Sequence, residues 1–135
     1  MEKPEGKGKR SGMINEVPLY TGSAIIIIWG IAHLIPTKSI VNGFGDISPD
    51  NRKIIAMESI AEGVTLCFIG VLVVLVTVLA GKSQAATVVY LACAVMLLVM
   101  AVLTALTGAR TSILPYKICP VVKTVAAILF FLGGI

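Results

Sequence analysis

A chain of 135 residues has room for one domain. It is 57% hydrophobic and only 13% charged, with mean hydropathy +0.98, whereas a soluble domain carries about 25% charged residues. So small a chain cannot hide that much apolar surface from water, which excludes an ordinary soluble globular protein and makes the lipid bilayer the expected partner. The net charge of +4 includes a cluster at Lys3, Lys7, Lys9 and Arg10. Such a cluster beside an apolar segment suits anionic headgroups, and the absence of interleaved aromatic and basic residues argues against a nucleic-acid partner.

Residues 1–18 read as a polar, basic, disordered tail, and residues 19–135 as a four-helix transmembrane domain. The first span is expected over about 19–36, "LYTGSAIIIIWGIAHLIP", with Pro36 at its end. Residues 37–48 read as a loop, with turn signals at Asn42-Gly43 and Gly45-Asp46. "SPDN" at 48–51 is a helix start: Ser48 can cap, Pro49 fits the first helical position, and Asp50 opposes the positive helix end. The second helix then runs from about 49 to 80, with its membrane part at 54–80. Gly81 to Gln84 is a tight polar turn, and the third span covers about 85–107. Residues 108–117 read as a loop before a fourth span at about 118–135, beginning near Cys119-Pro120. The fold class is therefore all-α, an integral membrane antiparallel bundle. Short links predict that consecutive helices are neighbours, up and down.

In such a bundle the end of span one, the start of span two, the end of span three and the start of span four share one membrane side. That side holds the only histidine, His33, and two carboxylates, Glu58 and Glu62, at the mouth of the apolar run Gly63–Val76. Counting about 1.5 Å per residue from Pro36 and Ile54 places His33 level with Glu58, and Glu62 one turn deeper. An ionised side chain at a helix centre costs about 2.5–3.5 kcal/mol, so these carboxylates need a proton or a cation, and Arg110 and Lys123 are the candidate partners. The candidate ligand-binding set is thus His33, Glu58, Glu62, Arg110 and Lys123. A plainer reading stands beside it: Glu58 reaches interfacial water, His33 is a satisfied interior histidine, and Lys53, Arg110 and Lys117 anchor headgroups. Cys67, Cys93 and Cys119 form no CxxC and read as buried free thiols.

Three chemistries fit the trio. The leading one is binding of a small amphipathic ligand, or an accessory role in a membrane redox or lipid process, without catalysis: no nucleophile–base arrangement is evident. The second is proton-coupled transport through the intramembrane glutamates, by a homo-oligomer because four helices leave little room for a pathway. The third is a metal or haem redox centre, since His with carboxylates can ligate a transition metal. A single histidine excludes both Glu-x-x-His di-iron pairs and a bis-histidine haem within one chain. The sequence specifies no cofactor.

"GIAHLIP" at 30–36, closing the first span, and "AEG" at 61–63 in the second resemble the DoxX-like small membrane proteins. The resemblance implies a four-helix inner-membrane protein, with Gly30, His33 and either Glu58 or Glu62 at the matching positions. The long "NGFGDISPDNRK" link and the doubled glutamate depart from that pattern. Basic residues are nearly balanced between the two membrane sides, and the cluster before the first span favours a cytoplasmic tail in a multi-pass cell-membrane protein.

Overall fold

The computed structural model describes residues 6–81 and 83–135, the side chains of 6–15 aside. Five helices and no strand occur among them: α1 (Gly6–Leu34), α2 (Thr37–Gly43), α3 (Pro49–Ala80), α4 (Gln84–Leu106) and α5 (Leu114–Gly134), with a 3-10 turn at Gly108–Arg110. Four segments, Glu16–Leu34, Pro49–Ala80, Gln84–Arg110 and Leu114–Gly134, are long and apolar enough to cross a membrane. The protein is all-α and of transmembrane helical character. Only about 33% of each span's most apolar window is buried inside the chain, so most of that apolar surface faces outward, as lipid exposure requires.

The helix starts follow local chemistry. Ser48 Oγ accepts from the Asn51 amide at 3.2 Å, Pro49 opens the helix and Asp50 lies in its first turn, as expected. Ser83 caps α4 in the same way, accepting from the Ala86 amide at 3.1 Å. Three boundaries differ from expectation. α1 is helical from Gly6, so residues 6–18 continue the span's helix instead of forming a disordered tail, and Pro18 lies inside it. Extending an existing helix costs far less than nucleating one. Residues 1–5 of the expected tail, and Lys82, fall outside the described residues.

The expected loop at 37–48 contains α2. The Ile40 amide bonds to the Pro36 carbonyl at 2.9 Å, and Thr37 and Val41, four residues apart, are its buried side. The turn proper is confined to 44–48, where Gly45 takes φ +71°, and Arg52 pins it by donating to the Asn42 side chain and the Gly45 carbonyl. α5 begins at Leu114, not near 118. Pro115, not Pro120, is its entry proline, because a proline at the first turn sacrifices no helical hydrogen bond.

The helices are antiparallel, but consecutive helices are not all close neighbours. α1 packs on both α3 and α5, and α4 packs on α5; α3 and α4 meet only loosely. The bundle order is therefore α3–α1–α5–α4. Glycines set the α1–α3 seam. A Cβ at Gly30 would lie 2.7 Å from Cys67 Sγ and 2.8 Å from the Gly63 carbonyl oxygen, and one at Gly63 would lie 2.8 Å from Leu34. Only hydrogen fits at either position, so the two backbones approach closely, as small residues permit in membrane helices. α3 and α4 are tied near their connecting turn, where Thr77 Oγ1 and Tyr90 Oη lie 2.9 Å apart, and a cleft separates them toward the other end. Ile26, Leu66, Val73, Leu97 and Phe130 form the fully buried core.

Gly63→Val should lower stability by about 1–3 kcal/mol, through overpacking against the Gly30 backbone. The same change at Gly43, where an added Cβ meets nothing within 4 Å, should cost much less. Thermal unfolding of the two variants in one detergent checks the difference.

Candidate functional site

Lys123 is a charged residue with no solvent exposure at all. It lies on α5 four residues after Cys119, and helical geometry stacks the two on one face. Because α5 packs between α1 and α4, that face looks into the bundle. A lysine so placed must be paired. Its ammonium contacts Glu62 Oε1 of α3 and donates to Thr104 Oγ1 of α4 at 2.8 Å. Thr104 in turn donates to the Met100 carbonyl at 2.8 Å, which leaves its oxygen free to accept from the ammonium.

Glu62 is the hub. Its Oε1 meets Lys123, and its Oε2 lies 3.7 Å from His33 Nε2 of α1. Cys119 Sγ completes the group, 3.8 Å from His33 Nε2 and 3.9 Å from Glu62 Oε1. Trp29 Nε1–H donates to that sulfur at 3.2 Å. His33 Nδ1 is 3.2 Å from the Trp29 carbonyl. A carbonyl can only accept, so it selects the Nδ1–H form and leaves Nε2 of a neutral ring bare toward Glu62 and Cys119. Thr37, bonded to the His33 carbonyl at 3.0 Å and 3.3 Å from Ser59 Oγ, ties α1 to α3 one turn above.

Of the five residues singled out from sequence, the fold brings together His33, Glu62 and Lys123. It does not bring in Glu58 or Arg110, both of which are exposed. The depth count that levelled His33 with Glu58 fails by one turn. Counting from presumed membrane boundaries ignores the glycine seam, which sets Leu34 over Gly63 and Thr37 beside Ser59 and so brings His33 to Glu62. Arg110 sits on the 3-10 turn outside the bundle. Cys119, Trp29 and Thr104 belong to the cluster and were not anticipated as members. The available signal was Lys123: a lysine within an apolar span faces the interior and takes the residue one turn before it along.

Two clefts flank the cluster. One, of about 430 Å³, lies between α3 and α4, with Glu62, Thr104 and Lys123 in its wall and Ile54, Met96 and Leu103 at its exposed rim. Glu58 lines the same cleft. The other, of about 370 Å³, is bounded by Trp29, His33, Pro36 and Ile40 on one side and by Ile113–Tyr116 and Ile118 on the other, and is almost wholly apolar. Tyr116 borders both, its ring edge-on to His33 with centroids 6.4 Å apart. The polar cluster is thus a partition between two openings on the apolar surface.

No family model, curated protein or solved structure matches this chain. The site's chemistry has to be argued from its own residues.

Lys123→Met leaves Glu62 without its cation, and Glu62→Gln leaves a buried ammonium without its anion. Breaking a buried pair from one side costs about 3–5 kcal/mol, whereas replacing both partners is often neutral. Each single variant should therefore unfold at clearly lower temperature in detergent, and the Glu62→Gln, Lys123→Met double variant should recover most of the loss. Additive losses in the double-mutant cycle would show that the pair is uncoupled.

Proposed function

We propose that this protein is a membrane binding protein that takes a small amphipathic ligand from the bilayer into the α3–α4 cleft, holding its polar head against Glu62, with Lys123 and Thr104 braced behind that carboxylate. The observation that carries this reading is the Glu62 carboxylate, backed by the fully buried Lys123, at the inner wall of a cleft whose rim is exposed apolar surface. Pockets for small ligands are largely apolar, about 300–1,000 Å³ in volume, with a few convergent polar groups. The α3–α4 cleft has that size and that lining. The carboxylate it meets accepts hydrogen bonds, so the head it suits donates them, as a hydroxyl or an amine does. The apolar walls suit an isoprenoid or acyl chain. Access from the side, through the surface that meets lipid, favours a ligand dissolved in the membrane over one dissolved in water.

The weak DoxX-like resemblance is compatible with this reading. Of the two glutamates that could occupy the matching position, Glu62 is the one beside His33. A second reading, proton-coupled transport, draws on the same carboxylate: His33 and Lys123 address different oxygens of Glu62, so a proton on Glu62 has two exchange partners. It predicts pH-driven flux in proteoliposomes that Glu62→Gln abolishes.

Mass spectrometry of the protein purified in mild detergent tests the binding reading. The wild type should retain one amphipathic species beyond bulk lipid. Met100→Trp, which fills the cleft while leaving the Lys123–Glu62 pair intact, should lose it. Glu58→Gln, at the cleft's outer end, should keep it. A folded Met100→Trp protein carrying the same complement of molecules as wild type would sink the proposal.

A further inference from the structure

On the face of Glu62 turned away from the cleft, His33, Cys119 and Glu62 present an imidazole nitrogen, a thiol sulfur and a carboxylate oxygen within 4.8 Å of one another. We propose that these three residues form a binding site for a thiophilic divalent metal ion of the zinc class, with Cys119 as its anchoring thiolate. The proposal shares Glu62 with the ligand reading but uses neither Lys123 nor the α3–α4 cleft.

Three features carry it. The first is spacing. At 3.7 Å the His33–Glu62 approach is too long for a hydrogen bond, and the two sulfur contacts, at 3.8 and 3.9 Å, are at the weak end. Ligands around tetrahedral zinc, with Zn–N of about 2.0–2.1 Å and Zn–S of about 2.3 Å, stand roughly 3.3–3.6 Å from each other. The two approaches of His33 Nε2, to Glu62 Oε2 and to Cys119 Sγ, exceed that edge by a few tenths of an ångström. The sulfur's 3.9 Å contact is to the other carboxylate oxygen, and the three ligand atoms together lie within 4.8 Å, so closing on an ion asks for a small rotation of the Glu62 carboxylate.

The second is orientation. Metal-ligating histidines almost always donate their other ring N–H to a carbonyl or carboxylate, which fixes the tautomer. Here the Trp29 carbonyl takes that role and leaves Nε2 facing the other two ligands. Trp29 acts twice, since its indole N–H also donates to the Cys119 sulfur, a contact that stabilises negative charge there. The third is donor type. A mixed S, N, O set with three protein ligands suits zinc and its neighbours and disfavours calcium or magnesium, which require oxygen alone.

Binding replaces the Cys119 S–H bond with a sulfur–metal bond and releases that proton to solvent; no electron is transferred. Glu62 keeps Lys123 on its other oxygen, so the carboxylate bridges the ion and the ammonium. The ammonium repels the incoming cation, and this gives the site a signature: removing the lysine's charge should tighten metal binding.

Cobalt(II) is the probe. Titrated into metal-free full-length protein in detergent, it should bind once per chain, with a sulfur-to-cobalt charge-transfer band and the intense visible bands of four-coordination, and zinc should displace it. Cys119→Ser should abolish the charge-transfer band. His33→Ala should weaken binding at least tenfold, and Trp29→Phe about 10-fold, in the range for an outer-shell partner. Cys93→Ser and Cys67→Ser should change nothing. In the Glu62→Gln, Lys123→Gln protein, which has no unpaired charge to unfold it, binding should be weaker but the sulfur band retained. Absence of saturable cobalt binding by folded wild type, or a charge-transfer band that survives in Cys119→Ser, would overturn the assignment.

Discussion

Burying an ammonium among apolar helices is the constraint that organises this protein. Lys123 has no contact with solvent, and an unpaired charge at such a place costs several kcal/mol. The fold offsets that cost by bringing three further helices to α5. α3 supplies the Glu62 carboxylate, α4 the Thr104 hydroxyl, and α1 the His33 ring that meets the far oxygen of Glu62. The polar cluster therefore specifies how the four spans sit against each other more strongly than apolar packing can. Lipid tails are as apolar as leucine, so burial alone gives membrane helices little reason to choose one partner over another.

The glycine seam and the cluster depend on each other. Gly30 and Gly63 let the α1 and α3 backbones touch, and that contact fixes which residues of the two helices are level. With a larger residue at either position the helices would separate or slide, and His33 would lose Glu62. The loose α3–α4 pairing has the opposite consequence. Held near Gly81 by Thr77 and Tyr90 and open beyond, the two helices leave a cleft whose floor is the ion pair. Tight and loose seams thus divide the work: one positions the ionisable groups and the other leaves them open to the apolar surface.

The bundle's outline was legible in the chain because it depends on local quantities. Four long apolar runs, separated by Pro, Gly and Asn signals and opened by cap residues such as Ser48, specify four spans whatever their neighbours do. Boundaries were less legible where two prolines competed. Pro120 looks like a helix start, yet Pro115 is the start and Pro120 is carried within the helix. α2 was hidden because seven residues with one buried side make too short a pattern to separate from a turn. Of the site, His33, Glu62 and Lys123 could be named since ionisable residues inside apolar spans have few places to go. Cys119 was reachable only through Lys123, one turn after it; Trp29 and Thr104 could not be named, because each is also an ordinary residue of an apolar helix.

By itself the sequence determined that this chain has four apolar helices long enough to cross a membrane, with most of its ionisable residues gathered at one end: hydropathy sets span length, and antiparallel order sets which ends meet. Only the tertiary structure decided which carboxylate faces the histidine. Glu58 and Glu62 are one turn apart on one face, and nothing local distinguishes them. The choice is made by the register of α1 on α3, which Gly30 and Gly63 fix through contact between residues more than thirty positions apart. Depth along a helix can be counted from the sequence; the alignment of one helix on another is a property of their surfaces.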